Sequence, residues 1–398
     1  MTHREVWTMS YASRQAGSFL AASLMAFAWV PSVGCAQSSR VAIRVYLPTG
    51  TPTAERITVA GNHPLLGIWD PSVRDLRRTS DTTVEASFDI ENGLRLEFKV
   101  TRGTWDTEAI FSPTGEVPPN IVVAVGGDTT IILTPVGWRD SMPRIATSLT
   151  GDARVFPNLA GDGLRYARSV TVRLPPSYAT DTARLYPVLY VHDGQNCLDR
   201  ATAAFGAEWR VDEIMDSLSQ AGAIDEAIIV AINNTSDRME EYSDSPKGAA
   251  YAMFVVTKVK PMIDSLYRTM PGPEQTGVMG SSLGGLISFL FTWWHPDVFG
   301  KAGCLSSVFD RQRTRVLEMV EAEQGRRAAF RVYMDCGGAP GEVSLKPGME
   351  EMVHVLSGKG YEQGRNVVSF FDPQAEHDER AWAARLWRPL RFLFGRTP

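Results

Sequence analysis

From residue 165 to the C-terminus, short apolar runs alternate with stretches of helical spacing. "RSVTVRLP", "YPVLYVHDG", "EAIIVAI", "TGVMG", "KAGCLSS", "RVYMDCG" and "NVVSFFD" read as strands. Between them "WRVDEIMDSLSQAG", "AYAMFVVTKVKPMIDSLYRTM" and "SLGGLISFLFTWWHP" read as helices, and "RAWAARLWRPLRFLFG" closes the chain with another. "EAIIVAI" is apolar without a break, as a strand covered by helices on both faces needs to be. Such alternation predicts an α/β fold, with a mostly parallel central sheet and helices on either side.

The first third has a different texture. "VAIRVYL", "ERITVAG", "TVEASFDI", "RLEFKVTRG" and "TTIILTPV" alternate apolar and polar residues between turns. Over residues 40–136 this spacing predicts a small antiparallel β-sandwich domain. Residues 137–164, polar and containing proline, read as a linker, and residues 165–396 as the α/β domain. A chain of 398 residues suits two such units.

Residues 1–36 read as a secretory signal peptide. Arg4 and Arg14 precede an apolar run over 19–30 that ends at Pro31 and is too short to span a bilayer. Cleavage after Ala36 puts small residues, Gly34 and Ala36, at the positions that cleavage requires. The expected location is periplasmic or secreted. A lipoprotein anchored through Cys35 is the alternative, although Ser32 stands where such signals carry leucine. Three cysteines remain, Cys197, Cys304 and Cys336, an odd number that excludes a fully paired framework. Cys304 and Cys336 lie in strand-like apolar surroundings, which favour buried small hydrophobes over a disulfide. A net charge of −5, with no basic stripe, excludes nucleic acid as an expected partner. No zinc-type spacing occurs, so neither a metal nor another cofactor is expected.

"GVMGSSLGG" carries the frame G-x-S-x-G on Gly280, Ser282 and Gly284, between a strand and a helix. A serine there sits on a sharp turn at a helix N-terminus, where unpaired N–H groups suit a developing oxyanion. The turn makes Ser282 the candidate nucleophile. Six histidines offer a base, and His377 alone follows the last strand, in the loop "DPQAEHDERAW". The order Ser, acid, His suits a sheet hydrolase. The acid should lie after "RVYMDCG". Glu342 has the loop position, Asp335 is the alternative inside the strand, and Asp372 is a further one. The backbone N–H groups of Leu283 and Gln195, the latter in "HDGQN" after an apolar strand, are the candidate oxyanion donors. Trp209, Arg238 and Tyr242 fall in segments expected at the sheet's rim, as substrate-binding residues or equally as packing residues.

"YPVLYVHDGQN", "IIVAINNTSDRMEEY", "KPMIDSLYRT", "GVMGSSLGGLISF", "FGKAGCLS" and "AEHDERAW" occur here in the order found in the Putative esterase family. The chain resembles these α/β-hydrolases, which include feruloyl, acetylxylan and siderophore esterases and mycolyltransferases, over residues 165–395. The resemblance implies Ser282 as nucleophile, His377 as base and Gln195 with Leu283 as oxyanion donors. Glu342 lies five residues after Gly337, farther than the family's acid usually stands from its glycine. "VAGNHPLLGIWDP" and "LEFKVTRGTWDTEAI" resemble starch-binding-type modules of early-set type, with Trp105 a better ligand platform than Trp69.

The expected function is an exported serine esterase acting on a small-molecule or polysaccharide ester, such as a carbohydrate-linked acetyl or feruloyl ester. A siderophore lactone esterase or an acyltransferase is the alternative. A non-catalytic, carbohydrate-binding protein of hydrolase shape is the alternative from another class.

Overall fold

A computed structural model describes residues 37–396, apart from 114, 116, 143–145, 205 and 325–329. The signal-peptide and Cys35 readings fall outside the described residues. An eight-stranded sheet organises the larger part of the chain. Its strands are β1 (Ala153–Leu159), β2 (Arg168–Arg173), β3 (Val188–His192) and β4 (Ile228–Ile232). They continue with β5 (Thr276–Ser281), β6 (Lys301–Leu305), β7 (Arg331–Gly337) and β8 (Val367–Asp372).

The spatial order is β1-β2-β4-β3-β5-β6-β7-β8. The first two strands pair antiparallel, and β3 to β8 run parallel. Every residue of β3 and of β4 is buried, which explains the unbroken apolar runs read in the sequence. Helices cover both faces. One core, with Tyr190, Val230, Phe289 and Met334, forms on one side, and a second, with Leu189, Ile229 and Leu390, on the other. Helix α2 (Leu283–Trp294) is buried along almost its whole length, so its sequence is apolar all round instead of striped. Helix α1 (Val211–Gln220) is amphipathic and buries Val211 and Met215 on the opposite face.

The sheet starts earlier than the sequence texture suggests. Strand β1 lies within the stretch read as linker, and Val155, 56% exposed, shows why it was missed. An edge strand open to solvent lacks the apolar signal of an inner one.

Residues 38–138 form separate small sheets. Ser38–Tyr46 pairs antiparallel with Thr83–Glu91 and parallel with Thr129–Leu133, which departs from the all-antiparallel expectation. Thr58–Gly61, Arg95–Thr101 and Ile121–Ala124 make a three-stranded antiparallel sheet. Val41, Ile43, Val59 and Phe98 share one core between them. Trp69 and Trp105 are both half-buried, so burial does not separate them as ligand platforms. Cys197, Cys304 and Cys336 are free and buried, as small hydrophobes are. Among the described residues no helix is long and apolar enough to cross a membrane.

Candidate active site

Strand β5 ends at Ser281 and α2 starts at Leu283, so Ser282 alone carries the turn. Its backbone lies at φ 56° and ψ −121°, a conformation that costs a non-glycine residue about 1–3 kcal/mol. A Cβ placed on Gly280 would stand 2.5 Å from the carbonyl carbon of Gly284, so glycine there lets strand and helix meet. The Ser282 amide donates to the Leu305 carbonyl at 2.9 Å, tying the turn to the end of β6. Leu283, as the first residue of α2, has an N–H with no carbonyl one turn back to receive it.

The loops after β6, β7 and β8 supply the remaining groups. Glu342 is fully buried, and its Oε2 meets Nδ1 of His377, which is half-exposed in the loop after β8. The other carboxylate oxygen accepts from Gly337 N at 2.8 Å and from the Ser306 hydroxyl. Burial by itself would raise the Glu342 carboxyl. The hydrogen bond and charge of His377, with the Ser306 and Gly337 donors, outweigh it and hold the group below the usual carboxylate range. Trp382 packs edge-on against the His377 ring at 5.1 Å.

Ser306 is the residue that sequence reasoning missed. It follows β6 at φ 46°, donates to Glu342, and accepts from Trp382 Nε1 at 2.9 Å and Arg385 Nη2 at 2.7 Å. The only signal was a serine pair closing an apolar strand in "KAGCLSS". Asp335 is the buried partner of Arg385, with Nε to Oδ2 at 3.0 Å, and receives Tyr333 OH and Ser306 N. Burial raises its carboxyl despite the nearby guanidinium. Its bonds therefore run to Arg385 and not to an imidazole. Asp372 ends β8 and is half-buried, with Oδ1 accepting from Gln374 N at 3.1 Å.

Gln195 follows β3 in the short helix Gly194–Asn196. Its carbonyl accepts from Thr202 Oγ1 at 2.7 Å and its side-chain oxygen from Asn234 N at 3.2 Å. Asp193 reaches the first turn of α2, its Oδ2 lying 3.2 Å from where a Gly284 Cβ would stand. The loops of Gln195 and Ser282 are thus neighbours. Arg238 grips Asp193 with two bonds of 2.7 Å. Trp209 and Tyr242, by contrast, are buried to 1% and 0% exposure, which leaves no surface for a ligand. Trp209 packs on Trp382, and the Tyr242 hydroxyl accepts from Asp193 N. Both are packing residues that hold the loops from below. Amphipathic context in the sequence could not reveal what would cover them.

A second buried carboxyl stands beside the site. Glu379, two residues after His377, accepts from Asn196 Nδ2 at 3.3 Å and is 6% exposed. Burial, with Asp193 and Asp378 adding to it against Arg238, pushes it up to about 8. Its proton is therefore retained in the folded protein where the unfolded chain has already lost it. Folding stability then falls as pH rises from about 5 to 8, by about 1.4 kcal/mol per unit from this group. Glu379→Gln removes that slope. The difference in unfolding free energy between variant and wild type should grow across pH 5, 6.5 and 8 in denaturant titrations, and a constant difference would contradict a neutral Glu379.

Serine on a strained turn, imidazole held by a buried carboxylate, and N–H groups at a helix start are the components that acyl transfer requires. Comparison with known proteins agrees in kind. The profile of a family described as "Putative esterase" matches residues 163–393. The "Uncharacterized protein YbbA" of Bacillus subtilis strain 168 is 26% identical over 240 residues, covering 58% of this chain and 94% of that protein. An alpha-amylase of Niallia circulans is 28% identical over 104 residues, 26% of this chain and 8% of that enzyme. The solved enterobactin esterase of Shigella flexneri, in the presence of enterobactin, superposes with a TM-score of 0.52 at 17% identity. It covers 88% of this chain and 92% of its own, a likeness of fold.

Proposed function

The chain belongs to the Putative esterase family, and on that premise we propose that it hydrolyses a carboxylic ester through an acyl-enzyme on Ser282. The contact between His377 Nδ1 and the buried Glu342 carries the reading. With Nδ1–H held there, Nε2 is left as the basic nitrogen. It takes the Ser282 proton as Oγ attacks the ester carbonyl. The N–H groups of Leu283 and Gln195 receive the oxyanion. Collapse expels the alcohol, which His377 protonates. Water, deprotonated by the same imidazole, then releases the acid and frees Ser282.

A carbohydrate-linked acetyl or feruloyl ester is the first substrate class, supported by the short stretch shared with an amylolytic enzyme. A siderophore-type lactone is the second, supported by the likeness to enterobactin esterase across 88% of the chain. The basic, apolar and small-residue sequence of 1–36 supports export, so substrate would be met outside the cytoplasm.

Fluorophosphonate labelling with peptide mapping tests the reaction. One adduct at Ser282, together with p-nitrophenyl acetate turnover, is expected. A stable, folded protein that neither labels nor turns over would overturn the proposal and favour a binding protein. Methyl ferulate, acetylated xylo-oligosaccharide and a cyclic catecholate trilactone then separate the substrate classes by kcat/KM.

A further inference from the structure

Ala201, Ala204 and Gly206, shortly after the loop of Gln195, contact residues that precede the eight-stranded sheet in the chain. Lys99, on the strand Arg95–Thr101, is 3% exposed and forms a buried ion pair with Glu108. Its ammonium also donates to the carbonyls of Pro118 at 2.8 Å and Ala204 at 3.0 Å. Arg139 Nη2 donates to the Ala201 carbonyl at 3.2 Å. Gly206, at φ 69°, sits so close that a Cβ there would lie 2.3 Å from the Val117 carbonyl oxygen. The segment is therefore clamped from the N-terminal side by two cations and a close backbone approach.

On its other side the same segment holds the oxyanion loop. Ala204 N donates to Asn196 Oδ1 at 2.8 Å, and Thr202 Oγ1 donates to the Gln195 carbonyl at 2.7 Å. Asn196 Nδ2 reaches on to Glu379, on the helix that follows His377. Ala204 thus accepts from Lys99 through its carbonyl and donates to Asn196 through its N–H, in the two peptide groups that flank its Cα. Taking a lysine and a glutamate out of water is costly unless their hydrogen bonds are satisfied, and the Pro118 and Ala204 carbonyls satisfy the Lys99 ammonium here.

We infer that Lys99 is a positioning residue of the esterase site, fixing the Gln195 N–H through Ala204, Thr202 and Asn196. The N-terminal sheets are then part of the catalytic unit and not only an appended module. This rests on the acyl-enzyme reading above, in which Gln195 N–H receives the oxyanion. An oxyanion donor acts only if it is aimed at the transition state, so misplacement lowers kcat and leaves ground-state binding alone.

The test uses the full chain. Lys99→Met leaves Glu108 buried without its cation, so it is combined with Glu108→Gln. Thr202→Val, a change at an exposed residue, loosens the same loop without touching the ion pair. Fluorophosphonate end-point titration counts active sites, so kcat is expressed per competent molecule. Expected are a fall in kcat of about 10- to 100-fold in the double variant and several-fold in Thr202→Val, with KM within twofold. Inhibition by phenylboronic acid, which forms a tetrahedral adduct on serine, should weaken in parallel with kcat. If kcat and boronate affinity in both folded variants stay within twofold of an active wild type, this inference fails and the esterase reading stands. If the wild type itself neither labels, turns over ester nor binds boronate, both fail together.

Discussion

Ser282→Ala lowers kcat for p-nitrophenyl acetate by about 10⁵- to 10⁶-fold and leaves the unfolding midpoint at or above the wild-type value. The activity term follows from covalent catalysis, because the neighbouring hydroxyl, Ser281, is buried at the end of β5. The stability term follows from geometry. Alanine carries the same Cβ as serine, so the backbone at φ 56° is no more strained than before. The hydroxyl removed has only its role in attack to lose. Steady-state kinetics with active-site labelling, alongside thermal unfolding, checks both halves. Turnover within tenfold of wild type would show that acyl transfer does not pass through this residue.

The second large effect separates two buried carboxylates. Glu342→Gln should cost about 10⁴-fold in kcat, because an amide can donate to Nδ1 and leave His377 in the wrong tautomer. Asp335→Asn should act on the fold instead. It takes from Arg385, 2% exposed, its nearer carboxylate and leaves only Glu342 Oε1 at 3.6 Å, and breaking a buried pair costs about 3–5 kcal/mol. Among molecules that remain folded, counted by end-point labelling, its kcat should stay within about tenfold of wild type. The two variants therefore exchange signatures: one folded and inactive, the other unstable and active. An Asp335→Asn protein that is stable but as inactive as Glu342→Gln would reverse the assignment. Ser306 touches both carboxylates, so combining the two changes should give effects that do not add.

What the sequence disclosed follows from how local each signal is. The elbow was legible because its requirement is local: small residues at 280 and 284 and a serine between strand and helix. Glu342 was favoured over Asp335 by its place past the end of β7, and its contact with His377 fits that reason. For Trp209 and Tyr242 the sequence left substrate binding and packing equally open, since their burial depends on Trp382 and on the loop of Asp193, far away in the chain. Strand β1 hid because its edge position removes the apolar pattern, and the parallel pairing of Val41–Val45 with Thr129–Leu133 is a choice of partner that neither strand encodes alone. Ser306 escaped because its significance lies in three side chains that converge on one hydroxyl.

The left-handed backbone at Ser282 also bears on how such a chain can be improved. Glycine would relieve that turn at once, and nothing in the packing around α2 would object. A library ranked by melting temperature alone would therefore drift toward glycine at 282 and retire the enzyme while perfecting the scaffold. Breeding for robustness here has to be yoked to a turnover screen, because a repair that eases the backbone at 282 also removes the proposed nucleophile.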